Sequence, residues 1–187
     1  MSILYNCIVL IATFCLSVVA LFNKKIKLFV DGRSVTFEKL SVFSSEDKVV
    51  WFHAASLGEF EQGRPIIERI KKEFPSYKIL LTFFSPSGYE VRKNYELADV
   101  VCYLPLDSNK NVKRFLDVVH PTMAIFIKYE FWPNYLKELK QRKISTILVS
   151  GIFRKDQIFF KPLGVFMRKS LKAFDYFFVQ DKKSQQL

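Results

Sequence analysis

The sequence predicts an α/β protein with a Rossmann-like, doubly wound parallel sheet. From Lys48 onward, short apolar runs alternate with longer segments whose apolar residues recur at helical spacing. The runs, such as residues 79–81 and 124–127, are continuously apolar, which is typical of strands covered on both faces. Because crossovers between parallel strands are right-handed, we expect helices on both sides of an open sheet.

Six strands and five helices account for residues 48–187. The strands are predicted at 48–54, 77–84, 99–104, 122–127, 144–149 and 174–179. The helices are predicted at 60–73, 87–96, 109–118, 132–142 and 157–172. Sheets of this kind bind ligands outside the carboxyl ends of their strands, so the loops that follow the strands are the place to look for function.

The chain begins with an uncharged, mostly apolar run over residues 3–22. About 20 such residues cross ~30 Å of hydrocarbon as a helix. Lys24 and Lys25 follow at once and no basic residue precedes the run, which predicts a single transmembrane anchor at 1–22 with the rest of the chain in the cytoplasm. A cleaved signal peptide is the alternative, but the basic n-region and shorter apolar core that it needs are absent.

Residues 23–47 are predicted as a juxtamembrane connector. Asp31-Gly32 is a turn signal that residues 28–30 and 35–37 can flank as a short hairpin. An amphipathic segment lying on the membrane surface is equally compatible with this stretch.

The first strand–turn–helix unit carries a candidate general base. A buried strand ends in small residues, and Ser56, Gly58 and Glu59 follow it before the first helix. At the carboxyl end of the strand, Glu59 can accept a proton from a substrate hydroxyl. The alternative is that Glu59 only complements the positive end of its helix.

Further polar residues collect at the same rim. The loops after the later strands contribute Ser85, Ser87, Asp107, Ser108, Lys128, Glu130 and Arg154. The serines and Asp107 also fit as helix caps. Glu130 lies between bulky apolar residues, where an ionised carboxylate needs a partner; Lys128 is one candidate, although it can equally bind an anionic group. Two carboxylates and Arg154 at one rim suit glycosyl transfer, whose transition state resembles an oxocarbenium ion.

Composition limits the partners. The net charge of +11 over 187 residues indicates an anionic partner, such as an anionic lipid, a phosphorylated substrate or a nucleic acid. Three scattered cysteines give no disulfide framework, and two distant histidines, His53 and His120, give no metal site, so we expect neither a metal nor a cofactor. The basic residues do not interleave with aromatic ones, which argues against a nucleic-acid partner.

Several motifs together resemble the N-terminal half of 3-deoxy-D-manno-octulosonic acid (Kdo) transferases. They are the sequence HAASLGE ending at Glu59, the sequence TFFSPSGY at 82–89, the sequence LPLD at 104–107 and the sequence YEFWPN at 129–134. The resemblance covers nearly the whole chain. The first and last of these motifs, in this order and spacing, are fairly specific together, although either alone would be a weak signal.

The resemblance implies a two-domain GT-B glycosyltransferase of the inner membrane that transfers Kdo from CMP-Kdo to a lipid A precursor. It implies that Glu59 is the general base and that Glu130 stabilises the transition state. Ser56, Gly58, Ser87, Lys128 and Arg154 are then expected to bind substrate. Because the nucleotide of a GT-B enzyme lies mainly on the C-terminal domain, we expect residues 1–187 to be the acceptor-side half without the donor domain. A membrane-anchored binding module without catalysis is the alternative.

Overall fold

The computed structural model describes residues 2–187 and contains a single six-stranded sheet within them. All the paired strands are parallel, in the order β3-β2-β1-β4-β5-β6. The strands are β1 (Val49–Ala54), β2 (Lys78–Phe83), β3 (Val100–Tyr103), β4 (Pro121–Ile127), β5 (Ser145–Gly151) and β6 (Tyr176–Val179). The predicted Rossmann-like sheet is confirmed, and its strand order reverses between β1 and β4.

Helices connect the strands and cover the two faces of the sheet. They are α4 (Leu57–Glu73), α5 (Pro86–Arg92), α6 (Asn109–Val119), α7 (Pro133–Gln141) and α8 (Val165–Leu171), with a short α9 (Lys182–Gln185) after β6. The helix predicted at 157–172 begins late, because two 3-10 turns, Ile158–Phe160 and Pro162–Gly164, precede α8. Proline cannot donate a backbone hydrogen bond, so the chain around Pro162 does not continue a regular helix.

The core consists of two apolar layers that share the sheet. Trp51 on β1 packs with Phe126 and Tyr135 in one layer, while Phe52 belongs to the other layer with Phe60 of α4. Successive strand residues point to opposite faces, so β1 supplies both layers and is buried along its whole length. The edge strand β6 differs, since its residues Tyr176–Val179 are partly or largely exposed and the prediction of two covered faces is wrong there.

The N-terminal apolar run forms α1 (Ser2–Val19), a helix of 18 residues. Residues 20–22 then turn, and the side chain of Asn23 accepts hydrogen bonds from the backbone at the start of α2 (Lys24–Ser34). Among residues 2–187, no helix combines the length and hydropathy that a membrane crossing requires. The transmembrane anchor predicted at 1–22 is therefore not supported; its first residue, Met1, lies outside the described residues.

The hairpin, one of the two alternatives for residues 28–37, is wrong, because this stretch is helical in α2 and α3 (Thr36–Leu40). Gly32 lies inside α2 and faces the ring of Tyr103, so its lack of a side chain allows a close approach and no turn forms. Arg33 donates hydrogen bonds to the carbonyl oxygens of Leu104 (2.9 Å) and Phe84 (2.7 Å). Residues 24–40 are thus held against the carboxyl ends of β2 and β3.

Candidate active site

The segments that follow β1 and β4 contribute the two candidate carboxylates. These segments flank the point where the strand order reverses, and this crevice is where doubly wound sheets bind ligands. Glu59 lies in the first turn of α4, and Glu130 lies between β4 and α7. The two residues are 71 positions apart in the sequence, and the topology brings them to one rim.

Glu59 is half-buried and turns back toward the loop that precedes its helix. Its carboxylate accepts a hydrogen bond of 2.6 Å from the backbone N–H of Ala55. Burial raises the pKa of the Glu59 carboxyl above its ordinary value of 4.5, and the Ala55 N–H opposes this rise. The negative charge of Glu130 raises the pKa further, whereas the positive charge of Lys128 lowers it. A carboxyl with a raised pKa is better matched to proton abstraction near neutral pH.

The structural interpretation of Glu59 is also partly correct. The hydrogen bond to Ala55 resembles one half of a capping box, in which a glutamate in the first turn satisfies a backbone N–H ahead of its helix. The N-cap residue Ser56 makes no side-chain capping bond. The Ser56 hydroxyl therefore makes no hydrogen bond to the backbone at the start of α4.

Glu130 is held by two side chains that the sequence reasoning did not assign to it. Its Oε2 atom lies 3.1 Å from Nε2 of His53 and accepts a hydrogen bond of 2.9 Å from Nε1 of Trp132. Only 12% of the Glu130 side chain is exposed, whereas His53 is fully buried. The proposed pairing of Glu130 with Lys128 is not observed, since His53 and Trp132 take that place among the described residues.

Lys128 and Arg154 remain as cations without an acidic partner in the described part of the chain. Lys128 adopts the left-handed conformation (φ 66°) directly after β4, which is uncommon for a residue other than glycine. Arg154 is exposed, and with Tyr129 and Phe131 it lines a depression of about 510 Å³ beside the Glu130 loop. The two cations therefore flank the loop that carries Glu130.

The predicted caps divide into two groups. Ser108 caps α6 by accepting from the backbone of Asn111 (3.3 Å), as predicted, whereas Ser85 makes no capping bond to α5. The hydroxyl of Ser85 pairs with that of Ser87 (2.6 Å) at the start of α5. Ser87 thus lies on the same rim, in the first turn of the helix that follows β2.

Asp107 binds the start of α7 and does not cap α6, the helix that follows it in the chain. It accepts hydrogen bonds from the backbone N–H groups of Asn134 (3.0 Å) and Tyr135 (2.9 Å), and from the hydroxyl of Tyr5 (2.7 Å). One buried carboxylate thereby joins α1 to the helix that ends the Glu130 loop. Burial raises the pKa of Asp107 to about 6, despite the opposing effect of these three donors.

The raised pKa of Asp107 predicts a pH-dependent stability. Between about pH 4 and pH 6 the folded protein holds a proton that the unfolded chain has released, because the ordinary pKa is 3.8. The free energy of unfolding should therefore fall as the pH rises through this window, by up to about 3 kcal/mol from this group. Denaturant unfolding at a series of pH values measures the fall, and Asp107→Asn should remove this component.

Tyr5→Phe is the matched control for Asp107→Asn. It removes one donor that lowers the pKa of Asp107 but leaves the ionisable carboxyl. The fall in the free energy of unfolding should therefore persist and extend to higher pH. The same pH dependence in wild type and Asp107→Asn would contradict the assignment.

The fold and the rim define the class of the protein. An open parallel sheet with two carboxylates at its reversal point is an α/β domain equipped for proton transfer or for stabilising positive charge. Residues 32–187 match the sequence model of an N-terminal glycosyltransferase domain described as 3-deoxy-D-manno-octulosonic-acid transferase (kdotransferase). The match covers most of the chain, and the chain belongs to this family.

Curated relatives agree with the family match. A 3-deoxy-D-manno-octulosonic acid transferase of Chlamydia pneumoniae is 27% identical over 98% of this chain and 44% of its own length. Proteins of the same name are 31% identical over 54% of this chain in Haemophilus influenzae and 40% identical over 51% in Aquifex aeolicus, covering 24% and 26% of those proteins. The chain thus spans less than half the length of these relatives.

Proposed function

We propose that the chain is the acceptor-side half of a glycosyltransferase that moves Kdo from CMP-Kdo to a lipid A precursor. The observation that carries the proposal is the placement of Glu59, in the first turn of α4, and of Glu130, on the loop after β4, on the two sides of the reversal point of the sheet. The names of the relatives support the choice of sugar. The net charge of +11 suits an acceptor that carries phosphate groups.

In this proposal Glu59 is the general base. As an acceptor hydroxyl oxygen attacks the anomeric carbon of Kdo, Glu59 takes the hydroxyl proton, and the bond to CMP breaks with its electron pair on the departing phosphate. The raised pKa of Glu59 supports this role, because a more basic carboxylate removes a hydroxyl proton more readily.

Glu130 has the second role, the stabilisation of positive charge on the sugar. Its carboxylate is mostly buried, and charge interactions are stronger where water is excluded. The two hydrogen bonds on its Oε2 atom fix the position of the charge before the reaction begins. Such preorganisation lowers the cost of reorienting groups in the transition state.

Five further residues are proposed to bind substrate. Ser56 is the N-cap residue of α4, Gly58 lies in the first turn of α4, and Ser87 lies in the first turn of α5. Lys128 lies two residues before Glu130, Arg154 lines a depression with Tyr129 and Phe131 on either side of it in the sequence, and both cations suit the phosphate or carboxylate groups of the two substrates. We place the donor site mainly on the part of the relatives that this chain does not match.

A non-catalytic module that binds an anionic glycolipid is the second candidate function. It is favoured by the basic charge and by the fact that the chain matches less than half of its relatives. The two candidates differ in their need for Glu59, since a binding module does not depend on proton abstraction.

The test of the proposal is a transfer assay with CMP-Kdo and a lipid A precursor. Residues 1–187 alone should show no turnover, because the donor site is proposed to lie elsewhere. A chimera that joins them to the C-terminal half of the Chlamydia pneumoniae transferase should transfer Kdo. Turnover by residues 1–187 alone would refute the placement of the donor site, and acceptor binding without transfer by a folded, donor-binding chimera would favour the second candidate.

We further propose that the protein works at the cytoplasmic face of the inner membrane, which it contacts through α1 and the turn after it. Large apolar side chains are exposed along this segment, including Ile11 (63%), Phe14 (72%) and Phe22 (86%). The lysines that begin α2 follow directly. Exposed apolar residues beside basic ones are typical of segments that lie in the interface of an anionic membrane.

Ile11→Asn together with Phe14→Asn should weaken binding to anionic vesicles by tenfold or more. Each removed side chain withdraws ~1.5–3 kcal/mol of apolar burial, and 1.4 kcal/mol is a factor of about ten. Phe74→Asn, at an exposed position (52%) at the end of α4, is the matched control and should leave binding unchanged. Vesicle co-sedimentation measures the effect, and equal binding by the double variant and the control would contradict the proposed contact.

A further inference from the structure

Three fully buried polar side chains form a connected set behind Glu130. Trp51 and His53 lie two residues apart on β1, and Thr82 lies on β2 directly beside His53. Buried polar groups are costly unless their hydrogen bonds are satisfied, so the positions of the hydrogens can be worked out by counting donors and acceptors.

The hydroxyl of Thr82 connects the tryptophan to the histidine. Nε1 of Trp51, which can only donate, donates to Oγ1 of Thr82 at 2.8 Å. The single hydroxyl hydrogen of Thr82 then has two acceptors within reach, Nδ1 of His53 at 2.9 Å and the carbonyl oxygen of Phe52 at 3.2 Å. The shorter of these contacts directs the hydrogen to Nδ1, which must then carry a lone pair. Nδ1 also lies 3.2 Å from the carbonyl oxygen of Thr82; an Nδ1–H that donates there, with the Thr82 hydroxyl donating to Phe52, is the alternative that the spectra below distinguish.

The other ring nitrogen of His53 is the one that carries a hydrogen. Nε2 lies 3.1 Å from Oε2 of Glu130, and a hydrogen must lie between these atoms, since two lone pairs would repel. With Glu130 ionised, that hydrogen belongs to Nε2. Nε1 of Trp132 then donates to Oε2 of Glu130 at 2.9 Å and not to Nε2 at 3.2 Å, so every donor has an acceptor.

We propose that His53 is a positioning residue: Trp51 and Thr82 hold it as the neutral Nε2–H tautomer, and in that form it orients the carboxylate of Glu130. Both donors to Glu130 act on Oε2, and no residue among 2–187 donates a hydrogen bond to Oε1. Oε1 is therefore the oxygen that is left to face the substrate. The proposal rests on the function assigned to Glu130 only in this last step.

The tautomer can be measured on residues 1–187 without any assay of activity. With ¹⁵N-labelled histidine the chain gives only two imidazole groups, His53 and the exposed His120, which serves as an internal reference. Long-range ¹H–¹⁵N correlation spectra identify the protonated ring nitrogen. We expect His53 to be neutral, with its proton on Nε2; a spectrum of the Nδ1–H tautomer or of the imidazolium would overturn the proposal.

Thr82→Val tests the cause of the tautomer. Valine keeps the shape of threonine but removes the hydroxyl that donates to Nδ1, so Nδ1 should take up a proton and donate it to the backbone carbonyl oxygen of residue 82, which lies 3.2 Å away. Thr82→Ser restores a hydroxyl and should keep the Nε2–H tautomer. An unchanged tautomer in Thr82→Val would show that Thr82 does not set it.

The chimera tests the consequence for Glu130. Thr82→Val should lower kcat by about 10–100-fold with little change in KM, because misplaced reacting groups cost rate more than binding, and Thr82→Ser should recover most of the loss. The predicted change of tautomer with an unchanged kcat would refute the positioning role. The absence of transfer by the wild-type chimera would count against the proposed function alone, since the spectra do not depend on it.

Discussion

Glu59→Gln in the chimera should lower kcat by about 10²–10⁴, the usual cost of losing a general base. Glutamine keeps the size of the side chain and can still accept the hydrogen bond from Ala55, so the fold of the loop should survive. It cannot take a proton from the acceptor hydroxyl. KM for the acceptor should change little, since other residues are proposed to bind the lipid.

Glu68→Gln is the matched control for Glu59→Gln. Glu68 lies on the same helix, α4, and its side chain is half exposed in an ion pair with Arg64. The control should keep full activity. Equal kcat values for Glu59→Gln and Glu68→Gln would remove Glu59 from the catalytic step and would favour its purely structural interpretation.

Glu130→Gln should lower kcat by about 10²–10³ in the same assay, a loss typical of removing one group that stabilises transition-state charge. Glutamine can still accept from His53 and Trp132, so this variant removes the charge and leaves the hydrogen-bond partners in place. Substrate binding should be less affected than turnover.

Glu130→Asp separates the charge from its position. It keeps the negative charge but shortens the side chain by one methylene, which draws the carboxylate away from His53 and Trp132. If charge and position both matter, this variant should also be impaired. Full activity of Glu130→Gln would contradict the proposed role, because the charge would then be dispensable.

Local pattern was sufficient to predict the sheet and the rim. Continuously apolar runs, separated by helical spacing, can be buried on both faces only in a parallel sheet between two layers of helices. Once the strands are located, their carboxyl ends fix where Glu59 and Glu130 lie. The burial of the edge strand β6 was overestimated, because its apolar residues follow the same pattern although they remain largely exposed.

The partners of the site residues could not be predicted in this way. His53 meets Thr82 through the register between β1 and β2, and it meets Glu130 through the loop after β4, so both contacts join distant parts of the chain. Asp107 likewise binds the start of α7 and Tyr5, 102 residues away in the sequence. A histidine at the end of an apolar strand was the available signal for the first of these, because a buried imidazole requires hydrogen-bond partners.

The N-terminal segment shows a second reason why sequence patterns did not predict the structure fully. Hydropathy identified residues 3–22 as one apolar run, but the helix ends at Val19 and the chain turns before Asn23 caps α2. Asp31-Gly32 has the composition of a turn, yet Gly32 is required because α2 packs closely against Tyr103. Tertiary packing decided the conformation in a stretch where composition alone favoured a turn.

The pH dependence of kcat in the chimera tests the central claim most directly. A general base must be deprotonated, so the wild-type rate should fall as the pH drops through the pKa of Glu59, which burial holds above the ordinary value of 4.5. Glu130→Gln should keep this acid limb but shift it to lower pH, because the Glu130 charge is one cause of the raised pKa. Glu59→Gln should lose the limb, and an unchanged acid limb in Glu59→Gln would contradict the account.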